Sequence, residues 1–167
     1  MVAIVKGEID REKAEYYADL ITGIRMGDFE VPSGRGREGI VLLPGTDAIK
    51  YPYSGDEELY AKKKEKLVHE LDIGRGLERI GVNVPSMKAV CLDGDFPFLI
   101  MSRVGLTDYA RLNRSQKIDA AKQFSEQLVL AREHGFSPGD ISISENYGFD
   151  IKQNKGSFYD FSRWSRD

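Results

Sequence analysis

The sequence contains a single cysteine, Cys91, and two histidines. An internal disulfide is excluded, and no His/Cys set has the spacing of a zinc centre, so nothing here calls for an oxidising compartment. Long apolar runs are also missing. No stretch approaches the roughly 18 residues that a membrane-spanning helix needs, and residues 1–8 turn acidic before the apolar core of a signal peptide can develop. The chain is expected to fold in water, in the cytoplasm, with no membrane partner. Excess positive charge is lacking too: 24 Lys and Arg stand among 27 Asp and Glu, for a net charge of -3. That balance gives no reason to expect a nucleic-acid partner. Internal repeats and low-complexity tracts are absent. What remains is 167 residues, 41% hydrophobic, enough to bury one core, so two large domains are excluded.

Apolar spacing predicts an amphipathic helix from Asp10 to Ile24, closed near Gly27 and read as an N-terminal extension over residues 1–30. Residues 31–39 are Gly-rich and interrupted by Pro32, a loop or distorted strand. Strands are expected over 40–43 and 48–51 around the turn Pro44-Gly45-Thr46-Asp47. Asp56 can cap a helix running to about Ile73, with Leu59, Leu67 and Leu71 on one face, until Gly74 and Gly76 loosen or end it. Two further strands are expected at 88–92 and 98–102. Asn113 and Gln116 form a capping box for a helix whose expected core stripe is Ile118, Ala121, Phe124, Leu128 and Ala131. A hairpin over 147–159 closes the order of elements.

Three features carry chemistry. Gly34, Gly36 and Gly39 fit G-x-G-x-x-G-x-V with Val41, glycines that let backbone amides approach phosphate oxygens. A dinucleotide fold would need a helix after them, whereas a strand, a turn and another strand follow. Lys50 ends the next strand, on a rigid element where a fixed ammonium can meet phosphate. Glu70 lies on the apolar stripe of the following helix with Leu67 and Leu71. A carboxylate there is out of place unless it meets a cation, and Lys50 is the candidate, with Glu65 as the competing acid.

The order of these elements resembles the upper lobe of a protein kinase. Glycine loop, Ala48-Ile49-Lys50 strand, helix glutamate and two strands leading to a hinge follow one another as in that family. Residues 98–105 resemble its last strand and hinge, which places Met101 at the gatekeeper and Ser102 to Val104 along the adenine edge. Asp140 to Asn146 resembles the catalytic loop, and Asp160-Phe161-Ser162 resembles the D-F-G motif. The resemblance covers residues 31–164. It implies an α+β, protein-kinase-like bilobal fold with an antiparallel upper-lobe sheet, at 31–104, and a minimal, mostly truncated lower lobe, at 105–167. ATP and Mg2+ are the cofactors implied. Asp140 would take the hydroxyl proton, Lys50 and Glu70 would serve the phosphates, and Asn146 and Asp160 would hold the metal.

Two departures stand out. The Asp140 to Asn146 interval is one residue longer than in the family, and Pro138 and Gly139 replace the family's His-Arg before the acid. Seven residues follow Asp160, so an activation segment and an A-P-E motif are not expected, and Trp164 is expected to cover the open base of the lower lobe. Compact kinases of this kind resemble those delivered into eukaryotic cells by type III secretion, without a cleaved signal peptide. One such group phosphorylates the ninety-kilodalton heat-shock chaperone. The expected activity is thus a Ser/Thr protein kinase, monomeric, acting on a host protein such as that chaperone. The alternatives are a catalytically silent kinase-like binding module and a small-molecule phosphotransferase, since residues 80–85 resemble the corresponding stretch of aminoglycoside-kinase-like enzymes.

Overall fold

The computed structural model describes residues 1–27, 33–35, 40–53, 59–139 and 141–167. They form two compact units, Met1–Leu71 with Met87–Arg103, and Asp72–Ser86 with Val104–Asp167. Among the described residues, no helix is long and apolar enough to cross a membrane.

The first unit is built on a six-stranded antiparallel sheet. Its strands are β1 (Val2–Gly7), β2 (Ser33–Arg35), β3 (Ile40–Leu42), β4 (Asp47–Tyr51), β5 (Met87–Asp93) and β6 (Phe96–Ser102), in the order β1-β5-β6-β4-β3-β2. The turn expected before β4 is present: Asp47 N donates to Pro44 O at 3.0 Å, with Gly45 at φ 56°. Helix α1 (Arg11–Met26) starts where the Asp10 carboxylate accepts from Lys13 N at 3.1 Å and stops at Gly27, φ 86°. Its buried residues Ala14, Tyr17, Ala18 and Ile21 fall at helical spacing and join Leu42, Ile49, Tyr51, Cys91, Phe98 and Ile100 in one core. Burying a side chain such as Ile21 stabilises by about 1.5–3 kcal/mol.

The sequence reading gave no strand to residues 1–7. β1 is half of an antiparallel pair with β5, but only Val2 in it is buried, so it shows no alternation of apolar and polar residues. Helix α2 (Tyr60–Arg79) corrects a second expectation, because it runs straight through Gly74 and Gly76 for 20 residues. The glycine at 76 serves packing: a Cβ there would stand 2.6 Å from the Phe136 ring. Leu59, expected on the apolar face, precedes the helix and is exposed.

In the second unit, α3 (Arg114–Glu133) opens with the expected capping box. Gln116 N donates to Asn113 Oδ1 and Asn113 N to Gln116 Oε1, both at 3.0 Å. Its buried face is Ala120, Gln127 and Ala131, while Ile118 is 62% exposed. Of the expected stripe, Ala131 is buried and Phe124 packs on Tyr147 and Phe158, with ring centroids 5.2 and 5.3 Å away, whereas Ile118 points out and the polar Gln127 is part of the buried face. Gln127 accepts from Asn83 N at 2.9 Å and donates to the Tyr147 hydroxyl at 3.1 Å and to Gly156 O at 3.3 Å. Strands β9 (Tyr147–Asp150) and β10 (Lys155–Phe158) form the expected hairpin, joined by β7 (Thr107–Asp108). The short strands β8 (Phe136–Ser137) and β11 (Ser165–Arg166) pair separately. Trp164 is buried, with its ring centroid 5.3 Å from Phe158 and 6.1 Å from Phe161.

Candidate functional site

β4 is a central strand with every residue buried, so alternation alone decides what each side chain meets. Ile49 and Tyr51 face the core shared with α1. Ala48 and Lys50 therefore face the other way. Across the strands Val41, Lys50 and Leu99 stand in one register row, and Ala48, Met101 and Met87 in the next. The ammonium of Lys50 is thus set among apolar neighbours on a rigid sheet.

Lys50 Nζ donates to both carboxylate oxygens of Glu70, at 3.0 and 2.8 Å. The residues are 8% and 2% exposed, so the pair is desolvated on both sides. This is the partnership expected from the odd position of a carboxylate on an apolar stripe. Glu65 is exposed, which resolves the competition between the two acids. Met101 is buried beside Ala48, Ser102 is half-buried at the end of β6, and Val104 lies beyond the strand, exposed. The segment after β6 is tied back, since Arg103 N donates to Thr46 O at 2.8 Å. Gly34 lies in β2 opposite Val41. Gly36, Gly39 and Asp140 lie outside the described residues.

Asn146 and Asp160 both belong to the second unit, and one residue connects them. Tyr159 N, next to Asp160, donates to Asn146 O at 3.0 Å. Asn146 N in turn donates to Ser142 O at 3.0 Å, closing a turn over 142–146. Asp160 is exposed, with its backbone at φ 63°, a left-handed conformation that a non-glycine residue adopts at a cost. Ser162 Oγ donates to its carboxylate at 2.9 Å. Burial pushes the Tyr159 phenol up, and the charges of Asp108 and Asp160 push it further. Gly139 has a steric reason to stand where the family has Arg: a Cβ there would meet Arg163 O at 2.4 Å.

Among the described residues, no group of three His, Cys, Asp or Glu side chains could form a metal cage. The Asn146 amide oxygen, which accepts from Ser142 N at 3.4 Å, and the Asp160 carboxylate are hard oxygen donors of the kind magnesium takes alongside waters and phosphate oxygens.

The sequence reading missed Asp47. Its carboxylate is fully buried on the α1 side of β4, accepting from the Tyr17 hydroxyl at 2.6 Å and from Lys13 Nζ at 2.7 Å, with Lys88 Nζ as third partner. Burial alone would raise its pKa, but the bonds from Lys13, Lys88 and Tyr17 outweigh it and hold the carboxyl at about 2. Burial and this carboxylate push the Tyr17 phenol up. The signal was available: an acid in phase with Ile49 and Tyr51 is as anomalous as Glu70 beside Leu67.

Neither a known protein family nor a curated protein matches the sequence. Solved structures do. The chain is similar to Rio2 kinase in its ADP/Mg2+-phosphoaspartate complex from Chaetomium thermophilum, at 15% identity and a TM-score of 0.61, covering 99% of this chain and 59% of that one. It is also similar to WbdD bound to the kinase inhibitor LY294002, at 16% identity and a TM-score of 0.56, covering 83% of this chain and 34% of that one. A second structure of WbdD matches at 14% identity and a TM-score of 0.57, covering 81% of this chain and 33% of that one. The chain therefore spans about three fifths of the length of the Rio2 chain and a third of the WbdD chains. The antiparallel sheet with its buried Lys50–Glu70 pair and these similarities together establish that this α+β chain has a protein-kinase-like fold.

Proposed function

We propose that the chain is an ATP-dependent phosphotransferase that acts on a Ser or Thr hydroxyl of a protein. The observation that carries the reading is the buried Lys50–Glu70 pair. Burying two charges costs several kcal/mol per ion before their attraction repays it, and well-packed apolar residues would serve stability as well. A desolvated pair of this kind is better explained by chemistry than by folding.

Each residue then has a task. Val41, Ala48, Leu99 and Met101 offer an apolar strip for a flat purine. Glu70 fixes the direction of the Lys50 ammonium, which neutralises phosphate oxygens without reorganising. Asp140 takes the proton of the acceptor hydroxyl. Asn146 and Asp160 supply oxygen ligands to magnesium. Bound magnesium would offset the negative charge that develops on the transferring phosphoryl group. The ADP and Mg2+ in the Rio2 complex support these cofactors by analogy of fold.

The test is transfer of label from γ-labelled ATP into eukaryotic and bacterial lysates. The ninety-kilodalton heat-shock chaperone, suggested by the resemblance to secreted compact kinases, is the first purified substrate. Lys50→Ala and Asp160→Ala should abolish labelling, and Asp140→Ala should slow it by about 10²–10⁴-fold. Millimolar Mg-ATP should raise the melting temperature, because a ligand that binds only the native state stabilises it. No shift with folded protein overturns the reading. A shift without transfer to any lysate favours the silent binding module, and transfer to a small hydroxylated molecule alone favours the small-molecule enzyme.

A further inference from the structure

On the second unit an open groove of about 570 Å3 is lined by Tyr109, Arg114, Lys117, Ile118 and Ala121. The last four lie at i, i+3, i+4 and i+7 on α3, so they form one continuous face of the helix. Tyr109, in the 3-10 turn Tyr109–Arg111, supplies the other wall, with Lys117 Nζ 5.8 Å from its ring centroid. Ile118, expected in the core, is 62% exposed within this groove.

The charge is as one-sided as the packing. Arg114 and Lys117 are both cations, and among the described residues neither has a carboxylate partner; the neighbouring cations Arg111 and Lys122 pair with Asp108 and Glu126. The first turn of α3 contains no acidic residue. A chain with net charge -3 thus has a groove whose lining includes two positive charges and no negative one.

We propose that this groove docks an acidic, extended segment of the protein substrate, with one apolar side chain seated on Ile118 and Ala121 beside the Tyr109 ring. The partner's identity as a substrate rests on the phosphotransferase reading above. Two cations around an apolar centre match a short acidic peptide with an anchor. Tracking a nucleic-acid backbone takes a longer basic stripe, and an anionic membrane takes a larger apolar face with more cations.

The test is fluorescence anisotropy on the full chain, without nucleotide, using a fluorescein-labelled peptide of glutamates around one central leucine. Binding should be saturable and should weaken strongly between about 0.05 and 0.5 M salt, as exposed charges are screened. R114E/K117E should weaken it about tenfold or more, and the neutral R114Q/K117Q by less, in proportion to the charge removed. Ile118→Ser should weaken it about three- to tenfold, and replacing the peptide leucine should then cost little more, because the two partners share one contact. These residues are at the surface, so the variants should keep the wild-type melting temperature. Unchanged affinity in R114E/K117E overturns the proposal. So does equal binding of a lysine peptide, or tighter binding of an RNA oligomer or phosphatidylserine vesicles that the same variants abolish. The Mg-ATP melting shift is read separately: its absence in the wild type defeats the phosphotransferase reading, whereas its persistence in R114E/K117E beside lost peptide binding is the expected pattern.

Discussion

The two units handle their acidic residues in opposite ways. In the first, Glu70 and Asp47 are both buried and both closed on lysines, one on each face of β4. In the second, Asp160 is exposed and sits on a strained backbone, with Ser162 as a hydroxyl donor. Buried pairs fix geometry before any ligand arrives, at a desolvation cost already met on folding. An exposed acid keeps its hydration until something from solution replaces it, and the left-handed backbone is held by its surroundings.

The largest effect should come from breaking the first arrangement. Lys50→Ala removes the ammonium that donates to both Glu70 oxygens and should cost about 3–5 kcal/mol in denaturant unfolding, along with all transfer activity. The pair Lys50→Met with Glu70→Leu should restore most of that stability and none of the activity. Equal stability of Lys50→Ala and wild type would show that another group serves the Glu70 charge.

Asp47→Ala should cost about 1–3 kcal/mol, since the Tyr17 hydroxyl is left buried without its acceptor. Asp47 also gives a pH signature. Its carboxyl is held at about 2, below the ordinary 3.8, so its stabilisation is complete above about pH 4 and is lost as pH falls through 2. Acid titration of the melting temperature should show that loss in wild type and not in Asp47→Asn. Salt should soften it only in part, because Lys13 and Lys88 are partly exposed while Asp47 is not.

Gly76→Ala separates helix propensity from packing. Propensity alone gives a gain of about 1 kcal/mol, whereas a Cβ at 2.6 Å from the buried Phe136 ring should reverse the sign and destabilise by about 1–3 kcal/mol. The smallest stability effect is expected at Asp160. Asp160→Gly relieves the left-handed backbone and should leave the melting temperature unchanged or slightly higher, while Mg-dependent transfer is lost. A fall in stability as large as that of Lys50→Ala would erase the contrast between the units.

What could be read from the sequence follows from whether a signal is local. The Asn113–Gln116 box, the turn before β4 and the hairpin at β9 and β10 are written in neighbouring residues. Glu70 was legible because a carboxylate in phase with Leu67 and Leu71 breaks a pattern. β1 was not, because its strand exists through pairing with residues some 85 positions away and its own side chains are mostly exposed. The reason for a glycine at 76 inside α2 lies in the Phe136 ring, and the face of α3 includes Gln127 for the bonds it makes, neither of which apolar spacing encodes. Asn146 and Asp160 are singled out only through the order of motifs, since an exposed acid and an amide in a turn are chemically ordinary.

The two ion clusters also act as a proofreading device for β4. Asp47 and Lys50 are an odd number of residues apart, so they point to opposite faces. On one face a carboxylate meets two amines, and on the other an amine meets a carboxylate. Sliding the strand by one residue would turn each charge toward the other's surroundings, bringing the Lys50 side toward Lys13 and Lys88 and the Asp47 side toward Glu70. Like charges would then face each other on both sides of the strand at once. A misregistered sheet is thereby penalised twice, and the strand can settle in the one alignment that presents Lys50 to Glu70.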